Sequence, residues 1–145
     1  MPSLNGTIDH LGPMAYVRVM LSHHRVEALK RAKLPYAPPN TVLGMIDTGA
    51  SCSAIDATLA QTLGLEIRGV TQVHTPSTGD AYETRNLYDV SFVLGHDQPV
   101  PFHLTLSVIE SGFASEGFFV LIGRDVLSCC TFTYHGPTEQ YTLEW

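Results

Sequence analysis

The sequence GMIDTGASCSAID, residues 44–56, places a lone acidic side chain, Asp47, directly after an apolar run. The run at residues 42–46 is typical of a short buried strand, and Thr48-Gly49 is typical of the turn that ends one. A carboxylate at the point where a strand leaves the core costs desolvation free energy unless it is hydrogen-bonded or shares its charge. Asp47 is therefore either a turn residue that caps its own backbone or a functional acid, and this stretch alone leaves both open.

Length and composition indicate one compact globular domain. The chain has 145 residues, of which 44% are hydrophobic and 15% charged, and this is enough for a substantial core. A net charge of −6 disfavours nonspecific binding to nucleic acid. No apolar run approaches the roughly 20 residues of a membrane helix, and the N-terminus lacks the basic-then-apolar order of a secretory signal.

Cysteine usage indicates the compartment. Three cysteines are an odd number, and Cys129 and Cys130 are adjacent, which is not the pattern of a disulfide framework. We therefore expect a reduced, cytoplasmic protein with no nucleic-acid or membrane partner, and leave open a removed propeptide or a further domain.

Short β-like runs dominate the chain. Alternating or continuous apolar segments predict strands at residues 15–21, 42–46, 87–94, 102–109, 118–122, 131–134 and 140–143. Helical patterns are short and occur at residues 24–34, 56–63 and 125–129, the second beginning at the N-cap Asp56 and ending before Gly64. The strands follow one another too closely for βαβ units, so the predicted class is mainly β.

The predicted helix at residues 24–34 carries half of the eight basic residues, namely Arg25, Lys30, Arg31 and Lys33. A solvated helix face is the favoured interpretation, and a docking face for an acidic partner is the alternative. His23 and His24 lie beside this helix, but no other Cys, His, Asp or Glu spacing completes a metal site. The sequence therefore predicts no metal and no cofactor.

A second motif favours the functional interpretation of Asp47. The sequence FFVLIGRDVL, residues 118–127, contains Gly123-Arg124 between an apolar strand and a short helical turn. Together with Asp47-Thr48-Gly49-Ala50, it resembles the retroviral-type aspartic proteases, the retropepsins. The sequence CTFTY at residues 130–134 also resembles the strand that follows this helix in viral members. The resemblance covers about residues 42–134.

The resemblance implies a closed-barrel-like acid-protease fold, with one lobe per chain and residues 1–145 as a single domain. The site residues that it implies are Asp47 as the catalytic residue, Thr48, Gly49, Ala50 and Ser51 in the active-site loop, and Ile122, Gly123 and Arg124 in support. In the family, the threonine that matches Thr48 hydrogen-bonds to the opposing active-site loop. The resemblance also implies that the strand end at Gly123 packs beside the catalytic loop, where a side chain would collide with it.

Only one Asp-Thr-Gly occurs in the chain, whereas a two-lobed enzyme of the pepsin kind needs two and about twice the length. Two carboxylates about 3 Å apart share one proton and can serve as base and acid in peptide hydrolysis. The resemblance therefore implies a homodimeric aspartic endopeptidase with Asp47 and its mate on the two-fold axis. The alternative is a catalytically silent dimer of this fold that binds extended peptides or serves as an assembly module.

Such proteases close a β-hairpin flap over the substrate, and the predicted flap is residues 70–83. Its predicted tip consists of Thr75, Pro76, Ser77, Thr78, Gly79 and Asp80. An ordinary surface hairpin that contacts no ligand is the alternative.

Three features depart from the viral pattern. Ser51 occupies the position at which viral members have an acid that pairs with the motif arginine, so the partner of Arg124 is open. Residues 22–40 form an insertion, and residues 135–145 add a further strand. These features favour a single-domain cellular or bacterial relative. Because viral dimers interleave their termini in one sheet, they also leave open how two copies would meet.

The sequence Gly-Ala-Ser-Cys-Ser at residues 49–53 falls one residue short of the nucleophile elbow Gly-x-Ser-x-Gly. Its last glycine is missing, and the chain is short for an α/β hydrolase. We therefore expect Ser51 to be a hydrogen-bond donor near Asp47. Cys52 is expected to be a buried, inert thiol rather than a reactive one.

Overall fold

The computed structural model describes residues 1–74 and 79–145, which form ten strands and three α-helices. The strands are β1 (Ser3–Thr7), β2 (Met14–Leu21), β3 (Asn40–Ile46), β4 (Ala54–Asp56), β5 (Gly69–Val73), β6 (Glu83–Leu94), β7 (Phe102–Ser111), β8 (Val120–Ile122), β9 (Thr131–His135) and β10 (Gln140–Glu144). The helices are α1 (His23–Arg31), α2 (Ala57–Leu63) and α3 (Arg124–Leu127), and single 3₁₀ turns lie at Ala114–Glu116 and Gly136–Thr138. The predicted mainly β class is confirmed.

Six strands form a closed barrel in the order β2-β3-β8-β4-β7-β6, and pairing of β2 with β6 completes the ring. The long strand β6 pairs with β2 through its second half and with β5 through its first half. Inward-facing side chains such as Val17, Val19, Val90 and Val108 are completely buried in the barrel core. Two pairs, β3 with β8 and β4 with β7, are parallel, and they bring the ends of β3 and β8 side by side.

The two ends of the chain pair with each other in a second sheet, of order β1-β10-β9. Its buried face packs on the barrel through Leu143 and Tyr141, and the Tyr141 hydroxyl donates to the Met14 carbonyl at 2.7 Å. Burial raises the pKa of Tyr141 to about 12, so this hydroxyl stays protonated. Gly6 lies against the Tyr141 ring, where an added Cβ would be 2.3 Å from the ring carbon Cζ.

Helix α2 begins and ends where the sequence predicts. The Asp56 side chain accepts from the Thr58 N–H at its N-terminus, and Gly64, with φ 63°, ends the helix in the left-handed conformation. Helix α1 is shorter than predicted because Lys33 adopts φ 56°. The N–H of Leu34 donates to the Leu29 carbonyl, which is the Schellman arrangement that ends a helix.

Strands β1 and β4 are absent from the sequence prediction. The sequence of β1, SLNGT, has a single large apolar residue, and β4 has only three residues. Each is a strand because of its partners: β1 pairs along its whole length with β10, and β4 lies between β7 and β8. Local periodicity does not report partners that are distant in the sequence.

Candidate active site

Residues 47–53 connect β3 to β4 and form the loop that carries Asp47; we call them the catalytic loop. The Asp47 carboxylate accepts a hydrogen bond from the Gly49 N–H at 2.8 Å. Asp9, in an exposed turn far along the chain, accepts from the Leu11 N–H at the same distance. Asp47 therefore caps its own turn as an ordinary turn aspartate does, and its hydrogen bonding alone does not set it apart.

The surroundings of Asp47 do set it apart, because this residue lines a cleft of about 520 Å³. The walls of the cleft are the catalytic loop, the β5–β6 hairpin with Val73 and Arg85, and the end of β7 with Ile109 and the following Phe113. This volume falls in the range of ligand-binding clefts. A carboxylate at the edge of such a cleft is placed to act on a bound molecule.

The segment that follows β8 holds the catalytic loop in place. The Asp47 N–H donates to the Ile122 carbonyl at 2.9 Å, and the Arg124 N–H donates to the Ala50 carbonyl at 2.9 Å. These bonds tie both sides of the Asp47 turn to the Ile122-Gly123-Arg124 segment. The structure thus brings together the two motifs that the sequence singles out.

Gly123 packs directly on the catalytic loop. A Cβ added to Gly123 would lie 2.7 Å from the Cys52 carbonyl carbon and 3.0 Å from the Ala50 carbonyl oxygen. Both are backbone atoms, which cannot give way as the end of a flexible side chain can. Gly123 has φ −94° and ψ −172°, an extended conformation that other residues adopt. Close contact, and not backbone conformation, accounts for glycine at this position.

Ser53 and Asp125 form a buried connection that sequence analysis missed. The Asp125 carboxylate accepts from the Ser53 hydroxyl at 2.6 Å and from the Ser53 N–H at 2.9 Å. The same hydroxyl oxygen accepts from the Gly123 N–H at 2.9 Å. Ser53 is completely buried, so these bonds replace the water that its polar groups would lose. The sequence offered one signal for this connection, namely the acidic residue Asp125 directly after Gly123-Arg124.

Arg124 has its partners within its own chain. Its Nη1 donates to the Thr48 carbonyl at 3.0 Å and to the Gly49 carbonyl at 3.4 Å. Backbone carbonyls of the catalytic loop therefore bind the guanidinium, where viral members use an acidic side chain. The Thr48 side chain itself is exposed.

Ser51 and Cys52 lie on the exposed side of the catalytic loop. The Ser51 hydroxyl donates to the Cys52 sulfur at 3.9 Å, so Ser53 and not Ser51 is the serine tied into the buried network. The expectation that Cys52 is buried is wrong, because its side chain is exposed. Cys130 is half-buried. Burial is the main reason that the pKa of its thiol rises to about 11, and the charge of the neighbouring Cys129 thiolate adds to the effect.

The predicted flap coincides with the hairpin of β5 and β6, which pair from Gly69 opposite Leu87 to Val73 opposite Glu83. Of its predicted tip, Gly79 and Asp80 are exposed, and Gly79 has φ 62°. The other predicted tip residues, Thr75, Pro76, Ser77 and Thr78, lie outside the described residues.

The hairpin presents Arg85 to the cleft. Arg85 pairs with Glu83 at 2.6 Å, and its Nη1 donates weakly to the Glu110 carbonyl at 3.4 Å. Its buried Nε has no hydrogen-bond partner among residues 1–74 and 79–145. The cleft therefore has a cation on the side that the predicted flap would cover.

Asp56 anchors the loop that carries Phe113 into the cleft. Its carboxylate accepts from the N–H groups of Phe113 and Ala114, both at 2.8 Å, as well as from the Thr58 N–H and hydroxyl. Burial raises the pKa of Asp56, but these hydrogen bonds lower it by more, so the pKa lies below its ordinary value of 3.8.

We therefore predict that Asp56→Asn removes part of the acid sensitivity of the fold. A carboxyl whose pKa is lowered on folding stabilises the protein above its unfolded pKa, and this stabilisation is lost as the pH falls through the folded pKa. The free energy of unfolding of the unmodified protein should fall more steeply below about pH 4 than that of the variant. Urea unfolding at a series of pH values measures both slopes. Equal slopes would contradict the prediction.

Across residues 1–74 and 79–145, no group of three or more His, Cys, Asp or Glu side chains could hold a metal ion. No helix in this part of the chain is long and apolar enough to cross a membrane.

Comparison with known proteins identifies the family. Residues 39–126, more than half of the chain and including both the catalytic loop and Gly123-Arg124, match the family model of the aspartyl proteases. The chain belongs to the aspartyl protease family. No curated protein matches the sequence.

Solved structures add the fold. The crystal structure of a retropepsin-like aspartic protease from Rickettsia conorii superposes with a TM-score of 0.63, covers 99% of this chain and 91% of its own, and is 18% identical. At this identity the likeness shows the retropepsin-like fold, which confirms the fold expected from the sequence. The retroviral protease-like domain of Ddi1 from Leishmania major also matches, with a TM-score of 0.40 and 16% identity over 86% of this chain and 82% of its own.

Proposed function

We propose that the protein is an aspartic endopeptidase that acts as a homodimer, with one Asp47 from each chain forming the catalytic pair. One observation carries the proposal: Asp47 lines a cleft of about 520 Å³, and the loop that bears it is held by hydrogen bonds to the Ile122-Gly123-Arg124 segment. A preorganised carboxylate beside a cleft is what water activation requires. The family supports this reaction type.

The second carboxylate of the pair must come from another chain. Among the described residues that line the cleft, the other acidic one is Glu110, and each of its carboxylate oxygens accepts one hydrogen bond. One accepts from the Tyr88 hydroxyl at 2.9 Å and the other from the Asn86 amide at 2.8 Å. Burial raises the pKa of Tyr88, and the hydrogen bond to the Glu110 carboxylate raises it further. The Tyr88 hydroxyl therefore stays protonated and remains the donor in this hydrogen bond. Hydrogen bonds from β6 thus fix Glu110 in the cleft wall, and we assign the second carboxylate to a second copy of Asp47 because the chain contains one Asp-Thr-Gly.

The reaction follows from a pair of carboxylates that share one proton. The ionised carboxylate takes a proton from water as the water oxygen attacks the peptide carbonyl carbon, and the protonated carboxyl donates to the carbonyl oxygen. The carboxyl that took the proton from water then donates it to the amide nitrogen as the C–N bond breaks, while the other carboxylate takes a proton from a hydroxyl of the tetrahedral intermediate, which restores the shared proton and leaves the product carboxyl group. Neither a metal nor a covalent intermediate is needed. Thr48 is exposed beside Asp47, in a position to contact the opposing loop, and Arg85 and Phe113 would contact the substrate.

The proposal predicts that specific activity falls on dilution. Because each active site needs two chains, activity per chain should decline as the concentration passes below the dissociation constant of the dimer, and at high dilution it should become proportional to concentration. Hydrolysis of a quenched fluorescent peptide library, with sedimentation velocity over the same concentrations, measures the two together. Full activity in a sample that sediments as a monomer would rule out a shared site.

A further inference from the structure

Among the described residues that line the cleft with Asp47, Arg85 is the single lysine or arginine. It lies on β6, just beyond the predicted flap, and its side chain is 27% exposed. The other cations that form ion pairs in the described part of the chain are all more exposed. Because water and salt screen a partly buried charge less than a surface charge, Arg85 is well placed to attract an anion into the cleft.

Contacts within the chain leave much of the Arg85 guanidinium unused. A guanidinium has five N–H groups in one plane. In Arg85, Nη2 donates to the Glu83 carboxylate at 2.6 Å and Nη1 donates to the Glu110 carbonyl at 3.4 Å, which is a long hydrogen bond. The buried Nε has no partner in residues 1–74 and 79–145. Each Nη group therefore keeps a hydrogen for a further acceptor.

The ion pair with Glu83 is easily exchanged. The Glu83 side chain is 50% exposed, and exposed ion pairs contribute little to stability because water solvates both partners almost as well. A carboxylate inside the cleft would be less screened than Glu83 is. It could therefore replace Glu83 at the guanidinium or bind beside it.

The other acidic group at this wall of the cleft does not neutralise Arg85. The Glu110 carboxylate accepts from the Tyr88 hydroxyl and the Asn86 amide, and only its backbone carbonyl contacts the guanidinium. The rest of this wall is largely apolar. Its apolar side chains are Val73, Ile109, Phe113 and Leu121. One side of the cleft thus combines a cation that has spare donors with an apolar surface.

We propose that Arg85 selects peptides that carry an aspartate or glutamate close to an apolar residue. This inference rests on the proposed function, because it assigns a substrate class to the same cleft. The guanidinium would bind the peptide carboxylate through two parallel N–H groups, while the apolar side chain packs on Phe113 and Ile109. A two-fold dimer has one Arg85 in each half. Acidic residues should therefore be favoured at equivalent positions on both sides of the scissile bond.

The test measures peptide binding apart from cleavage. In an Asp47→Asn background at neutral pH, labelled peptides are compared in matched pairs that differ only in one Glu or Gln near an apolar residue. The Glu member of the best pair should bind about 10-fold more tightly, as a hydrogen bond to a charged group predicts. Arg85→Gln should remove this difference, and Arg85→Glu should reverse the preference toward peptides with Lys at that position. Fluorescence anisotropy measures the dissociation constants.

Arg68→Gln is the matched control. Arg68 also forms an ion pair, with Asp89 at 3.3 Å, but its side chain is 61% exposed and lies outside the cleft. This substitution changes the net charge of the protein by the same amount as Arg85→Gln does. It should leave the Glu preference intact. An equal loss of preference in both variants would overturn the inference, because the effect would then come from overall charge.

Glu83→Gln separates recognition of the peptide from support of the hairpin. If Arg85 acted only by holding the hairpin through Glu83, then Arg85→Gln and Glu83→Gln would change binding in the same direction. If Arg85 binds the peptide, Glu83→Gln removes a competing carboxylate and should tighten the binding of Glu peptides, whereas Arg85→Gln weakens it. Changes in the same direction would overturn the inference.

The outcomes distinguish this inference from the proposed function. Equal binding of the Glu and Gln peptides would overturn the inference alone, and cleavage of both by the unmodified protein would still support an endopeptidase. Binding that depends on Arg85 and on the peptide charge, without cleavage by the unmodified protein, would overturn only the proposed function. If the Asp47→Asn variant bound no peptide, both would be overturned.

Discussion

Asp47→Asn should lower kcat/KM toward a cleaved peptide by about 10²–10⁴-fold, the range typical of a lost general acid or base. The substitution removes the carboxylate from both halves of the proposed pair, so no group remains to take a proton from water. The fold should persist, because the amide oxygen of asparagine can still accept the bond that Asp47 accepts from the Gly49 N–H at 2.8 Å. Steady-state hydrolysis together with thermal unfolding measures the two effects separately.

Asp9→Asn is the matched control, because Asp9 caps its own turn with the same bond, from the Leu11 N–H at 2.8 Å, but lies outside the cleft. Its activity should equal that of the unmodified protein. If Asp47→Asn cleaved peptides at the unmodified rate, the catalyst would lie elsewhere, and the exposed Ser51 and Cys52 in the same cleft would be the next candidates.

The same variant separates an enzyme from a silent peptide-binding dimer. Titration of Asp47→Asn with labelled peptides reports binding whether or not cleavage occurs. An endopeptidase predicts that peptides bound by the variant are cleaved by the unmodified protein. A binding module predicts that the two proteins bind alike and that neither cleaves.

The sequence predicts those parts of the fold and site that depend on local pattern. The apolar run at residues 42–46 ends in Asp-Thr-Gly, and the structure places β3 and then the catalytic loop there. Asp56 and Gly64 bound α2 as expected, because capping is a property of residues next to each other in the chain. The link between Asp47 and Gly123 was implied by resemblance to a family, not by periodicity.

The missed features depend on contacts between distant residues. Ser53 bonds to Asp125 across 72 positions, and no spacing rule connects a buried serine with an acid so far along the chain. The sequence left the partner of Arg124 open, and in the structure the turn at residues 48–49 brings two backbone carbonyls to its guanidinium. Backbone groups carry no sequence signal, since every residue has them.

Gly123→Ala should destabilise the protein by about 1–3 kcal/mol, the cost typical of overpacking, and should lower kcat/KM by about 10²-fold. The added methyl group would lie 2.7 Å from the Cys52 carbonyl carbon, so the catalytic loop must move to admit it. That loop carries Asp47, and a displacement of about 1 Å can cost a factor of 10² in rate. Chemical unfolding and peptide hydrolysis measure the two losses.

The matched control is Gly69→Ala, in β5, where an added Cβ would have no atom within 4 Å. Since neither glycine has a positive φ, both substitutions restrict the unfolded chain alike, an effect that stabilises by about 0.4–1 kcal/mol where space allows. Gly69→Ala should therefore keep or slightly raise stability and retain full activity. Any difference between the two variants then reports the contact at the catalytic loop. If Gly123→Ala were as stable and as active as Gly69→Ala, close packing of the Ile122-Gly123-Arg124 segment would not be what positions Asp47.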